Sequence, residues 1–427
     1  MIKIFLAILI LGNIIMAATI QHIEVKGMKI PLIFEEDKRL PIVTMQFVFK
    51  NSGTITDIDK AGLAKFSAKV MSEGTSKLGS SAFAEALEAK AIHISASTGK
   101  ETFVMELSSL KEEFESGLKS FDALLKDPNF TQKIINKVKT TTLGSLARKE
   151  NDFDYIASTE LKALLFEGSV MAKPSNGTAK SIKSIELEDV KKFVKKNLVS
   201  SKLIVVLGGD IEIEKVKKLI AKVIESMPIG KSSDVKNYKV TDETKEKIIK
   251  KETKQAYIYF GSPYDMSVES KDYYKARVAI FILGTGGFGS RLMEEIRVKK
   301  GLAYSAYARV NVSKSSSYMS GYLQTKLESL DEAKKTVKEV VAKFVKDGVT
   351  QEELEQTKKF LLGSEPLRVE TMSQRLNRTF MEYYKGQELG HSVKELELIK
   401  NLKLKDLNKY IRSHKEILEM SFAIVTK

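Results

Sequence analysis

Apolar positions along the chain fall into two alternating patterns: short runs with a period of two, and longer runs with helical spacing. Segments 23–33 and 42–49 carry alternating, β-branched apolar residues and read as strands. Segment 61–75, AGLAKFSAKVMSEGT, places Leu63, Phe66, Val70 and Met71 on one helical stripe and stops at Gly74. It predicts a short amphipathic helix with Lys65 and Lys69 four apart on one face, a like-charge pair that costs roughly 0.2–0.5 kcal/mol. Segment 81–91 predicts a second helix, and 92–97 with 102–107 a hairpin around Gly99 and Lys100. Helices are expected over 110–125 and, past Asp127-Pro128, over 131–165. A helix over 189–198, a buried-type strand over 203–207 and a helix over 213–227 complete this half.

The order then repeats. Strands are expected over 255–260, 302–312, 317–324 and 420–425, and helices over 272–283, 291–299, 330–346, 351–360, 371–384 and 404–414. Residues 182–194, IKSIELEDVKKFV, are echoed about half a chain later by 399–411, IKNLKLKDLNKYI. Each precedes an apolar strand near the end of its half, which argues for a duplicated α+β domain. The polar stretch 229–253, with Gly230, Ser232 and Ser233, separates the halves as a linker. The expected organisation is therefore a leader at 1–18, a first domain at 19–228, the linker, and a second domain at 254–427.

The leader reading rests on Lys3, an apolar run over 4–16 broken by Gly12 and Asn13, and the small residues Ala17 and Ala18. It implies export to the periplasm or beyond. The chain of 427 residues has no cysteine, which removes disulfides and thiolate metal sites. Its net charge of +15 comes from 60 Lys and 10 Arg against 55 acids. The lysines are dispersed among Glu and Asp, without the Arg and aromatic clustering of nucleic-acid readers. A weak attraction to acidic peptides or an anionic membrane surface fits that charge.

Three stretches carry a resemblance: AGLAKFSAKVMSEGT, then FAEALEAKAIHISASTGKET, and in the second half GTGGFGSRLMEEIRVKKGLAYSAYA. Together they resemble the inverzincin metallopeptidases, the family of pitrilysin, insulysin and the mitochondrial processing peptidase. The implied fold is α+β: two homologous domains, each an antiparallel-rich sheet packed with helices. Active members have H-x-x-E-H where this chain has Lys65-Phe66-Ser67-Ala68-Lys69. Lysine at neutral pH has no lone pair for zinc, and Ala68 cannot act as a base. The family's third ligand, a Glu further along, falls in 140–146, TTTLGSL, which has no acid. His22, His93, His391 and His414 are scattered, and His93 reads as an ordinary strand residue.

The resemblance carries further roles onto this sequence. Arg297 and Tyr304 match an Arg/Tyr pair that reaches from the C-terminal domain towards substrate. A guanidinium can fix a peptide carbonyl or carboxylate, and a phenol can donate to a developing oxyanion. Arg291 matches a residue expected to bond the preceding loop. Gly284, Gly286, Gly287 and Gly289 match a substrate-handling loop or form a plain turn; no phosphate-loop pattern closes them. Ser95 and Ala96 match an edge strand that binds extended peptide by strand addition. The implied function is the non-catalytic subunit of an exported two-chain zinc peptidase, binding peptide and lending Arg297 and Tyr304 in trans. No cofactor is expected in this chain, and zinc is expected in a homologous partner subunit. The alternative is a peptide-binding or scaffolding pseudopeptidase without a catalytic partner.

Overall fold

The computed structural model describes residues 18–427. The leader expected at 1–18 lies outside the described residues, apart from Ala18. The first sheet contains β1 (Thr19–Val25), β2 (Met28–Glu36), β3 (Ile42–Lys50), β4 (His93–Thr98), β5 (Thr102–Leu110) and β6 (Leu203–Gly209), in the order β1-β2-β6-β3-β5-β4. The helices of this half are α1 (Leu63–Met71), α2 (Gly79–Glu88), α3 (Phe114–Lys126), α4 (Gln132–Lys149), α5 (Phe153–Leu165), α6 (Ala179–Lys183), α7 (Leu187–Asn197) and α8 (Ile213–Glu225). The second sheet contains β7 (Glu246–Lys250), β8 (Gln255–Pro263), β9 (Ala303–Val312), β10 (Ser317–Lys326) and β11 (Ser421–Thr426), in the order β7-β11-β8-β10-β9. Its helices are α9 (Tyr273–Ile280), α10 (Arg291–Met293), α11 (Leu330–Asp347), α12 (Gln351–Gly363), α13 (Met372–Lys385), α14 (His391–Asn401) and α15 (Leu404–Ser413).

The two sheets share one topology. In each, the last strand of the half inserts between earlier ones: β6 runs parallel to β2 and antiparallel to β3, and β11 runs parallel to β7 and antiparallel to β8. All other pairs are antiparallel. The chain is thus α+β with two homologous domains, and the repeated IK…L…V/I segments span α6–α7 in one half and α14–α15 in the other.

Several elements differ from their sequence reading for local reasons. Segment 23–33 is not one strand but a hairpin, because Lys26 and Gly27 adopt φ of 50° and 74°, the pattern of a type I′ reversal. The helix expected from 110 begins at Phe114, since Leu110 still pairs with Ile42 in β5. The helix expected over 131–165 breaks before Asp152, whose carboxylate caps α5 by accepting from the Tyr155 amide. Helix α14 had no predicted counterpart. The stretch 229–253 contributes β7 to the second sheet, alongside β11.

The domains exchange helices. One face of each sheet is covered by its own helices. The other face of the first sheet, with Ile33, Val48, Ile204 and Val206, takes Leu376 and Tyr384 of α13 from the second half. In return, Leu161 and Leu165 of α5 pack with Ala423 and Tyr318 of the second sheet. Both faces of the central strands are therefore apolar, and every residue of β6 and β11 is buried. Polar ties hold each exchanged helix. Arg375 on α13 donates to Glu35 at 2.7 Å and Asp37 at 2.9 Å. Asp154 on α5 accepts from Tyr259 at 3.0 Å and Gln324 at 2.7 Å.

Glu35 is only 3% exposed, and removing one partner of a buried pair costs about 3–5 kcal/mol by stranding the other charge. Arg375→Met should lower stability by that order in urea denaturation. Adding Glu35→Gln should restore most of the loss; a double variant no more stable than the single would show that the pair is not the cause.

Candidate functional site

Helix α1 owes its position to a distant cap. Its N-cap residue Gly62 sits at φ 88° and offers no side chain. Instead the Asp57 carboxylate accepts from the amides of Gly62 (3.1 Å) and Ala64 (2.9 Å). Asp57 is 3% exposed. Burial pushes its carboxyl up to about 7, against the two amides and the charges of Lys173 and Lys65.

Ala64, Phe66, Ala68, Val70 and Met71 bury the inner face of α1, leaving Lys65 and Lys69 on the other. The two lysines diverge. Lys65 donates to Asn176 Oδ1 at 2.9 Å and Ser175 Oγ at 3.1 Å, whereas Lys69 donates to Thr142 Oγ1 on α4 at 3.0 Å. Burial lowers both ammonium pKa values, and Lys162, Lys149 and Lys69 lower that of Lys65 further. Lys65 lines a cavity between the domains, and Lys69 does not. Segment 140–146 thus stands beside α1, where a third ligand would have to be. The donor set does not suit zinc: two ammonium groups, a methyl and a hydroxyl occupy it. Among the described residues, no three His, Asp or Glu converge as a metal site.

Ser95 and Ala96 lie on β4, at the edge of the first sheet. The Ala96 amide donates to Ser72 Oγ, just past the end of α1, at 3.2 Å. The outer side of β4 is therefore partly capped, and an added strand would have to displace that bond.

Arg297 and Tyr304 form a stacked group at the surface. The Arg297 guanidinium lies 4.2 Å from the Tyr304 ring centre and 4.5 Å from that of Phe288. Tyr304 is 81% exposed and Phe288 64%. Arg297 makes no ion pair or side-chain hydrogen bond among the described residues. Phe288 was missed in the sequence because nothing marks an aromatic within a glycine run as an arginine platform. Tyr304 is the second residue of β9, whereas the β9–β10 turn at the opposite end meets the first domain. That separation is on the order of 25 Å along the strand, and neither Arg297 nor Tyr304 lines the cavity beside Lys65.

Three of the four glycines have structural reasons. A Cβ on Gly284 would stand 2.5 Å from the Ala308 amide nitrogen, and Gly287 sits at φ +60°. A Cβ on Gly286 would meet the Phe281 carbonyl at 2.8 Å, where α9 widens into a π-turn; Gly289 faces open space. Arg291 does not bond the preceding loop. It forms a two-pronged pair with Glu353 on α12, at 2.7 and 2.8 Å.

Residues 34–178 match the insulinase family, peptidase family M16, and residues 184–361 match the peptidase M16 inactive domain. The chain is 42% identical to the non-peptidase homolog YmxG of Helicobacter pylori, over 99% of this chain and 98% of that one. Among solved structures, a peptidase M16 inactive domain from Pseudomonas fluorescens superposes with a TM-score of 0.86 at 23% identity, covering 95% of this chain and 98% of that one. A protease from Helicobacter pylori superposes at 0.82 with 17% identity, covering 96% and 100%.

The Asp57 cap has a pH signature. A carboxyl raised from 3.8 to about 7 in the folded chain favours folding most below the unfolded value, and that contribution is lost as pH rises towards 7. Stability in urea should therefore fall between pH 4 and pH 7 more steeply in the native chain than in Asp57→Asn. Parallel pH profiles for the two would remove Asp57 as the source.

Proposed function

We propose, for a chain that belongs to peptidase family M16, the role of non-catalytic subunit in an exported two-chain zinc peptidase. The zinc-bearing partner would supply the metal that polarises water and the scissile carbonyl. This chain's contribution is to bind peptide and to present Arg297 and Tyr304 to the partner's site. The observation that carries the reading is the state of that pair. Arg297 lies against two rings with no counter-ion among the described residues, and Tyr304 is 81% exposed. A cation preorganised in this way, away from the chain's own vacated helix, suits a substrate that arrives on another molecule.

The relatives add support of a limited kind. Helicobacter pylori has both a non-peptidase homolog close to this chain in sequence and a protease with the same fold. One observation favours the scaffolding alternative: the Ala96 amide is already bonded to Ser72, which weakens the case for strand addition at β4.

The test is co-expression with an exported homologue from the same organism that keeps H-x-x-E-H. Cleavage of an unfolded peptide should appear for the mixture and not for either chain alone. Arg297→Ala and Tyr304→Phe should each lower kcat/KM about 10²–10³-fold, while the two chains still co-elute. Full activity of the partner alone, or full activity of both variants in the mixture, would sink the reading.

A further inference from the structure

The cavity beside Lys65 has a volume of about 310 Å³ and lies between the domains. Its wall combines α1, the β4–β5 turn, α5, the segment before α6, and Tyr318 of the second sheet. Four lysines line it: Lys65, Lys100, Lys162 and Lys173. Their protein partners are neutral. Lys65 bonds to Ser175 and Asn176, Lys100 to Ser316 at 3.2 Å, and Lys173 to the Ile58 carbonyl. Lys162 has no hydrogen-bond partner, and none of the four makes an ion pair among the described residues. Lysines elsewhere commonly meet carboxylates, as Lys111 meets Asp210 and Lys137 meets Glu73.

One acid, Asp57, lines the cavity, and both its oxygens are committed to the amides of α1. Burial holds the Lys100 ammonium down to about 8 against the charge of Glu101, with Lys162 and Arg309 lowering it further, and burial followed by Arg309 lowers that of Lys162. Four cations line one concave space with Asp57 as the one acid among its lining residues, so positive charge is in excess there; like charges repel one another and attract negative charge.

We propose that this cavity receives an acidic segment of a bound peptide, its carboxylates serving as counter-ions to Lys65, Lys100, Lys162 and Lys173. The wall also holds Ile55, Met171, Tyr155 and Tyr318, apolar surface that suits methylenes and backbone better than a bare inorganic anion. Thr98 and Gly99, at the end of β4, form part of the rim. The inference rests on the peptide-binding part of the proposed function and names the class of peptide.

The test uses the purified full chain and two labelled octapeptides, one with four central Glu/Asp residues and one with Gln/Asn in their place. Fluorescence anisotropy should show the acidic peptide binding at least tenfold tighter, with affinity falling as salt rises. Lys65→Met with Lys162→Met should bring its affinity down to that of the neutral peptide and flatten the salt dependence. Lys405→Ala with Lys409→Ala removes the same charge elsewhere and should leave binding unchanged; thermal unfolding checks that each variant is folded. Equal binding of both peptides overturns the acidic preference and leaves the peptide-binding reading standing. Failure of both peptides overturns that reading too. Binding of pyrophosphate without either peptide would mark an inorganic anion site and overturn the proposal.

Discussion

Glu101 is a carboxylate buried at the junction of the two domains, and the rest of the structure is arranged around keeping it satisfied. It is 8% exposed. One oxygen accepts from the Ser315 amide at 2.7 Å and the other from the Tyr384 hydroxyl at 2.8 Å. Both donors belong to the second domain, while Glu101 sits in the β4–β5 turn of the first. A buried charge without its hydrogen bonds costs several kcal/mol. The domains cannot separate locally without stranding it, and the charge of Glu101 in turn pushes the Tyr384 phenol well above its usual range, after burial.

One of the two exchanged helices, α13, carries a donor to Glu101. Tyr384 lies on α13, so the bond to Glu101 pins that helix across the outer face of the first sheet. Arg375, at the other end of α13, pins it to Glu35 and Asp37. Helix α5 is pinned to the second sheet through Asp154. Each sheet thus has one face closed by a helix that the other half supplies. The apolar character of β6 and β11 on both faces makes sense only in that arrangement. The cavity beside Lys65 is a product of it: Lys162 and Tyr155 are on the exchanged α5, and Tyr318 is on the sheet that α5 covers.

The sequence showed the duplication, most helices and most strands, because apolar period and the repeated IK…L…V/I segments are local properties. It did not show the exchange. Leu161, Leu165, Leu376 and Tyr384 look like ordinary core residues of their own half, and periodicity carries no information about which sheet a helix covers. The hairpin at Lys26-Gly27 was hidden by its short turn. In the candidate site, Lys65, Ala68 and Lys69 could be placed on one helix from spacing alone. That Lys65 and Lys69 turn to different partners could not, because Asn176 and Thr142 are distant in sequence. Phe288 beside Arg297 was likewise invisible until the π-turn region folded it back.

The altered motif changes charge as well as chemistry. In the H-x-x-E-H pattern, a divalent ion with two neutral His, a ligand Glu and a base Glu sums to about zero. Here the motif positions hold Lys65, Ala68 and Lys69, and Thr142 of segment 140–146 meets Lys69, so two ammonium groups stand where the pattern has two neutral His. The two lysines of α1 diverge: Lys69 turns to α4, while Lys65 turns to the loop at Ser175 and Asn176 and borders the cavity. Lys65 thereby joins Lys100 and Lys173, whose partners are also neutral, and Lys162, which has none among the described residues. Lys65, Lys100, Lys162 and Lys173 together give the junction of the two domains an electropositive interior surface.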